Sequence, residues 1–212
     1  MKAMILAAGR GERLRPYTDK CPKPLLEVKG LALIEHHLLA LKSAAITEVV
    51  INVSWLRDQI IQALGDGSRF DMEIHYSVEK VALETAGGII QAMQCLSDRF
   101  IVVNSDVFTD YPFDRLLDID KPGHLVLIDN PSHNPAGDFT LQDGYAGNEA
   151  SNRLTFSGIA CYQKSFFNDK KTGNRALAPM LREAADQGLL TAEHFHGHWT
   201  DVGTLERWQS IQ

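Results

Sequence analysis

An α/β fold with a mainly parallel, mixed central sheet is what the 212-residue chain predicts. Two observations carry this. Strand-like apolar runs alternate with helix-period segments through residue 104, the pattern of βαβ units. Polar and glycine-rich segments follow directly on two of those strands, where open parallel sheets place their ligands. Composition agrees, with 44% hydrophobic and 23% charged residues. No stretch approaches 18 uncharged apolar residues, so no membrane span and no membrane partner are expected. The opening apolar run is too short for a signal peptide. Cys21, Cys95 and Cys161 are odd in number and widely spaced, which reads as reduced thiols of a cytoplasmic protein.

Residues 2–8 form a continuous apolar run ending at Gly9, a buried strand. Leu33, Ile34, His37, Leu38 and Leu41 recur at helical spacing over residues 33–42. Residues 48–55 read as a strand, 57–64 as a helix, 73–77 as a strand, 88–96 as a helix and 100–103 as a short buried strand. Gly9–Arg13 and Asn104–Asp106 thereby fall on the same rim of the sheet. Beyond this point, residues 124–128, 139–141 and 154–162 read as strands without intervening helices. Residues 142–153, polar and rich in Gly and Asn, read as a flexible loop. A helix is expected from about Ala178 to Asp186, with Pro179 in its first turn. Residues 194–200 read as a strand and 204–210 as a last helix. His194, His196 and His198 would share one strand face, more plausibly a polar face than a zinc site lacking a fourth ligand.

Net charge is −6, which argues against a nucleic-acid partner. The first 24 residues run the other way. Lys2, Arg10, Arg13, Arg15, Lys20 and Lys23 stand against only Glu12 and Asp19. A small positive site on an acidic protein suits a polyphosphate; an exposed basic loop without a ligand is the plain alternative. Gly9 and Gly11, just after a strand, would let backbone N–H groups approach phosphate oxygens. The third glycine of a dinucleotide fingerprint is missing, and so is the Gly-Lys-Ser/Thr of a P-loop. No Gly-x-Ser-x-Gly or His-Glu-x-x-His supports a hydrolase.

Residues 6–16 read Leu-Ala-Ala-Gly-x-Gly-x-Arg-Leu-x-Pro. Pro22-Lys23-Pro24-Leu25 and the Leu33, Ile34, Leu38 helix follow. Together they resemble the signature of the sugar-1-phosphate nucleotidyltransferases. The resemblance continues through Asn104-Ser105-Asp106 and Trp199-Thr200-Asp201-Val202-Gly203-Thr204. The short length and Leu83-Glu84-Thr85-Ala86-Gly87-Gly88 look most like bacterial N-acetylmuramate α-1-phosphate uridylyltransferases. The resemblance implies a Rossmann-like, GT-A-like nucleotidyltransferase fold in one domain. A nucleotide-binding part would span about 1–110 and a sugar-phosphate-binding part about 111–212. The implied reaction makes UDP-N-acetylmuramate and pyrophosphate from UTP and N-acetylmuramate α-1-phosphate, in peptidoglycan recycling. The enzyme would be a monomer or small homo-oligomer.

By the same resemblance, Lys23 and Arg13 are catalytic cations. Ala8, Gly9, Gly11, Glu12, Glu79, Gly87 and Gly88 join them in binding the nucleotide. Glu79 does not settle the base, since a carboxylate can accept from uracil N3–H or from guanine; the plain alternatives are a surface charge at Glu79 and glycines that only start a helix. Asn104, Asp138 and Gly158 would bind the sugar phosphate; a strand glycine without a ligand would instead mark a bulge. Asp106 and Asp201 would hold Mg²⁺, which favours one or two carboxylates plus phosphates and waters. One departure stands out. Larger relatives carry a Glu-Lys-Pro lysine on the sugar phosphate, whereas here residues 148–153 are Asn-Glu-Ala-Ser-Asn-Arg. Arg153 is the candidate replacement. A hexose-1-phosphate nucleotidyltransferase using UTP, dTTP or GTP, a choline-phosphate cytidylyltransferase, and a non-catalytic nucleotide-sensing module stay open as alternatives.

Overall fold

The computed structural model describes residues 1–168 and 172–212. The strands are β1 (Lys2–Leu6), β2 (Glu27–Val28), β3 (Leu31–Ala32), β4 (Glu48–Val53), β5 (Glu73–Val78), β6 (Arg99–Asn104), β7 (Val107–Thr109), β8 (Gly123–Ile128), β9 (Thr140–Gln142), β10 (Tyr145–Gly147), β11 (Thr155–Gln163), β12 (Leu190–His194) and β13 (Trp199–Asp201). The helices are α1 (Leu33–Ser43), α2 (Arg57–Leu64), α3 (Glu84–Ala92), α4 (Ala178–Asp186) and α5 (Leu205–Gln209). Nine strands form one sheet in the order β5-β4-β1-β6-β11-β8-β12-β10-β9. From β5 to β6 every pairing is parallel. β11 then runs antiparallel to both β6 and β8, and β12 pairs parallel with β8. The sheet is therefore mixed, with its parallel half contributed by the βαβ segments.

Alternation along β1 explains the layering. Ala3 and Ile5 face a core shared with Ile34 of α1 and Ile60 of α2. Met4 faces the opposite core with Ile89 of α3 and Leu181 of α4. A third, smaller cluster joins Leu14, Leu26, Val28 and Leu33 to Val202 and Ile211. It clamps the end of the chain onto the loop that follows β1. Trp208 Nε1 reinforces it by donating to Glu27 O at 2.8 Å.

Three expected elements differ. Residues 142–153 are not one loop. Asp143 (φ 50) and Gly144 (φ 80) make a two-residue turn between β9 and β10. An Asp-Gly pair favours this hairpin geometry because both residues tolerate positive φ. The expected strand over 194–200 is split. β12 ends at His194, and β13 leaves the main sheet to pair with β7. The three histidines therefore do not share a strand face. His194 and His196 stack at 3.9 Å between centroids, and His194 contacts Asp129 at 3.0 Å. His198 instead packs edge-on against Phe108. The helix expected from Gly88 starts earlier, at Glu84.

His37 lies on the buried stripe of α1 and is 2% exposed. Burial pushes its imidazole down to about 4, with the charge of Asp106 pulling the other way. An unfolded chain has an ordinary histidine near 6.5, so below that pH it binds a proton the folded protein refuses. This stabilisation is complete above pH ~6.5 and falls by roughly 3 kcal/mol as pH drops toward 4. His37→Gln should lose less stability than the wild type between pH 7 and 4.5 in urea unfolding. Equal losses would refute the assignment.

Candidate active site

Leu6 of β1 and Asn104 of β6 are partners in register, so the segments after them leave the sheet side by side. The segment after β1 turns at Gly11, whose φ of 69 lies in the left-handed region. A Cβ there would stand 3.0 Å from Thr18 Cγ2 and 3.2 Å from Lys23 Cβ. Glycine thus admits the Pro22–Pro24 segment closely enough for Lys23 to cross the site. Its Nζ donates to Asp106 Oδ2 at 2.5 Å. The Lys23 side chain is only 12% exposed, so this contact is shielded from bulk water.

Around this pair opens a cleft of about 520 Å³. Ala8, Gly9, Gly11, Glu12, Arg13, Lys23, Glu79, Asn104 and Asp106 all line it. Glu79 is 2% exposed and is not a surface charge. Its Oε1 accepts from Asn52 Nδ2 at 2.7 Å, and its Oε2 from Leu83 N at 3.0 Å. Asn52 Oδ1 in turn accepts from Ala7 N at 2.8 Å. This chain of bonds ties β4, the first turn after β1 and the start of α3 together beneath the cleft.

Asp201 is reached through β13. Its neighbour Val202 donates to Asp106 O at 2.7 Å, and Asp201 itself pairs with Val107, so the β7–β13 ladder brings the two chain segments side by side. Asp201 Oδ1 accepts from Arg207 Nη1 at 2.7 Å and lies 3.2 Å from His133 Nε2. Asp201 is not itself part of the cleft lining. Gly203 is, and a Cβ on it would meet Asp201 Oδ2 at 2.7 Å. Asp106 in the cleft and Asp201 behind its Gly203 wall offer hard carboxylate oxygens, the donor type a divalent cation takes together with waters or phosphate oxygens.

A second cleft of about 330 Å³ shares Leu6, Glu84, Thr85 and Asn104 with the first. Asp138 and Gly158 line it. Gly158 (φ 80) sits where the β11–β8 register shifts, so it is a bulge and a cleft residue at once. A Cβ there would stand 2.5 Å from Asn104 Nδ2. Tyr162 also lines this cleft, and its hydroxyl is buried without a partner among the described residues. Glu84, shared by both clefts, holds φ 58, a strained value for a non-glycine residue.

Some expected residues lie elsewhere. Gly87 and Gly88 are buried inside α3 and line neither cleft. Gly88 faces Glu79 and Asn52, while a Cβ on Gly87 would stand 2.2 Å from Gly173 O. Arg153 does not reach the second cleft; its guanidinium donates to the backbone oxygens of Asn148 and Glu149. Cys161 is 1% exposed, and burial pushes its thiol up to about 11, as suits a core residue. Sequence reasoning missed Asn52, His133, Arg182 and Arg207. Asn52 carried a signal, a lone amide inside the apolar run Val49–Val53. The others sit on polar segments that nothing local distinguishes.

The model of the nucleotidyl transferase family matches residues 2–139. The chain is 48% identical to N-acetylmuramate alpha-1-phosphate uridylyltransferase of Neisseria meningitidis serogroup B, over 100% of this chain and 97% of that protein. It is 29% identical to the catalytic subunit beta of mannose-1-phosphate guanylyltransferase from Xenopus tropicalis, covering 96% of this chain but 61% of that one. In fold it resembles the inositol-1-phosphate CTP transferase of T. maritima, with TM-score 0.81 at 19% identity, covering 97% of this chain and 90% of that one.

The packing of α3 makes a stability prediction. Gly87→Ala must displace a backbone carbonyl and should cost about 1–3 kcal/mol. For a chain of this size each kcal/mol lowers Tm by roughly 2–4 °C. Gly9 has nothing within 4 Å of its would-be Cβ, so Gly9→Ala should stay within about 0.5 kcal/mol. Equal melting shifts in the two variants would contradict the packing account.

Proposed function

Since the chain belongs to the nucleotidyl transferase family, we propose that it joins UTP to N-acetylmuramate α-1-phosphate, releasing pyrophosphate. It is a sugar-1-phosphate nucleotidyltransferase. The finer assignment of base, sugar and residue roles is supported above all by one observation. The Lys23–Asp106 contact lies in the first cleft, and a second cleft opens through shared walls beside it.

The sugar phosphate attacks the α-phosphorus in line. Its second pKa is about 6, so the nucleophile is already ionised at neutral pH and needs no general base. The obstacle is repulsion between two polyanions. Unit charges 4 Å apart interact by roughly 4 kcal/mol at an effective dielectric of 20. Fixed cations therefore supply most of the catalysis. Arg13 and the Gly9–Gly11 backbone hold the β and γ phosphates. Lys23 turns from Asp106 to the attacking and α-phosphate oxygens. Its low exposure keeps its charge effective, because little water competes for it.

Glu79 and Asn52 form the floor against which the base rests. Each Glu79 oxygen keeps a lone pair beyond the bonds to Asn52 and Leu83, enough to accept uracil N3–H. Asn104, shared by both clefts, stands where the sugar meets its phosphate. Asp138 and Gly158 shape the far wall for the sugar hydroxyls. Asp106 and Asp201 would hold Mg²⁺. Bound there, the ion would neutralise phosphate charge on both reactants and fix their alignment.

Lys23→Ala should lower turnover at least ~100-fold while the protein stays folded by circular dichroism. Near-normal turnover in that variant would remove the lysine from the mechanism. Asp106→Asn should abolish Mg²⁺-dependent turnover; an active variant still saturable by Mg²⁺ would count against the metal site. Pyrophosphate release across a panel of triphosphates and sugar phosphates should be fastest with UTP and N-acetylmuramate α-1-phosphate. A better rate with another pair would overturn the substrate assignment alone.

A further inference from the structure

Arg182 is the one cationic side chain lining the second cleft among the described residues. We infer that it binds a carboxylate on the sugar, making that cleft a site for a sugar acid. This rests on the uridylyltransferase reading above and deepens it.

The guanidinium is half-buried at the start of the last turns of α4, yet it forms no ion pair among the described residues. It is positioned by neutral groups. Nη1 donates to Asp138 O and to Asn148 Oδ1, both at 3.3 Å, and the guanidinium carbon lies 5.3 Å from the centre of the Phe139 ring. These contacts orient the group without neutralising it, and use one of its three nitrogens. A guanidinium has five donors in a fork that matches a carboxylate. Arg207 shows the contrast, since its charge is matched by Asp201 at 2.7 Å. The nearby Asp138 carboxylate does not fill this role. Its Oδ2 is held by Phe156 N at 2.8 Å and Asn134 Nδ2 at 3.2 Å.

Position identifies which anion Arg182 meets. The phosphate of the substrate belongs with Lys23 and Asp106, which line only the first cleft. Arg182 lines only the second, beyond the walls the two share. A ligand spanning both clefts therefore presents a second negative group to Arg182. N-acetylmuramate carries one, the carboxylate of the lactyl ether on its O3. N-acetylglucosamine is the same sugar without that group, and neutral hexoses also lack it. Arg153, held by backbone oxygens outside the cleft, offers no competing cation.

The test compares kcat/KM, at saturating UTP, for N-acetylmuramate α-1-phosphate and for N-acetylglucosamine α-1-phosphate. In Arg182→Ala the ratio of the two should fall roughly 10- to 100-fold, the worth of a charge-assisted hydrogen-bonded pair. Arg182→Lys should recover part of it. A role for Arg182 on the phosphate, or in folding alone, would lower both substrates together and leave the ratio unchanged, which overturns the inference. Wild-type enzyme provides a measurement free of folding effects. Converting the lactyl carboxylate to its amide should cost at least ~10-fold in kcat/KM; no loss overturns the inference. A wild type that prefers N-acetylglucosamine α-1-phosphate sinks the substrate reading and Arg182's role together. A wild type that prefers the acid, with the preference intact in Arg182→Ala, sinks only Arg182's role.

Discussion

The contact between Lys23 Nζ and Asp106 Oδ2 joins residues 83 apart in sequence, and the site is arranged around it. It exists because β1 and β6 are parallel neighbours in equal register, so that the loops after Leu6 and Asn104 emerge together. A shielded ammonium beside a carboxylate is a balanced pair of charges. A triphosphate brings excess negative charge, and the same lysine then has stronger partners than Asp106. An ammonium on a flexible stem suits this exchange, since it moves between acceptors without the planar geometry a guanidinium demands. In the proposed mechanism, Asp106 is released toward a cation when the lysine turns to phosphate. On the proposed reading, these are the charges the reaction redistributes.

The second carboxylate reaches this place by a different route. Asp201 lies 95 residues beyond Asp106 in the chain, on a two-stranded ladder outside the main sheet. Sheet register alone would not hold it. Burial of Val202 and Ile211 against Leu14, Leu26, Val28 and Leu33 does so, by welding the last residues to the segment that carries Gly11 and Lys23. That apolar contact sits directly behind the charged cleft. Thr204, whose hydroxyl accepts from Arg207 N, starts α5 so that the Arg207 guanidinium returns to Asp201.

Local signals made the catalytic half legible in the sequence. The apolar run of β1, the glycines after it, the Pro-Lys-Pro segment and the stripe of α1 each carry their information within a dozen residues, and the structure places them as that pattern implies. The hairpin at Asp143-Gly144 was equally local, but a polar, Asn-rich surrounding masked its turn signal. The split of residues 194–200 was not local. Alternating histidines suit a strand, and only the pairing of β13 with β7 breaks it. Gly87 and Gly88 show the same limit. Two glycines beside a nucleotide motif suggest backbone approach to a ligand, whereas the neighbour that demands them is the 173 carbonyl or the buried Glu79.

Arg153 and Arg182 carry this lesson into the second cleft. Both are half-buried guanidiniums. Yet Arg153 spends its donors on carbonyl oxygens of its own loop, while Arg182, among the described residues, keeps most of its donors unspent at a cleft wall. The Gly158 bulge adds to this division. By bending β11 at the point where Asn104 must fit, it lets one amide serve both clefts. On the proposed reading, chemistry on the phosphate side depends on residues fixed by β1 and β6, and sugar choice on residues fixed by β11 and α4. On that reading, substitutions on α4 alter the sugar accepted without disturbing the charges that perform the transfer, because among the described residues Leu6, Glu84, Thr85 and Asn104 are the shared wall of the two clefts.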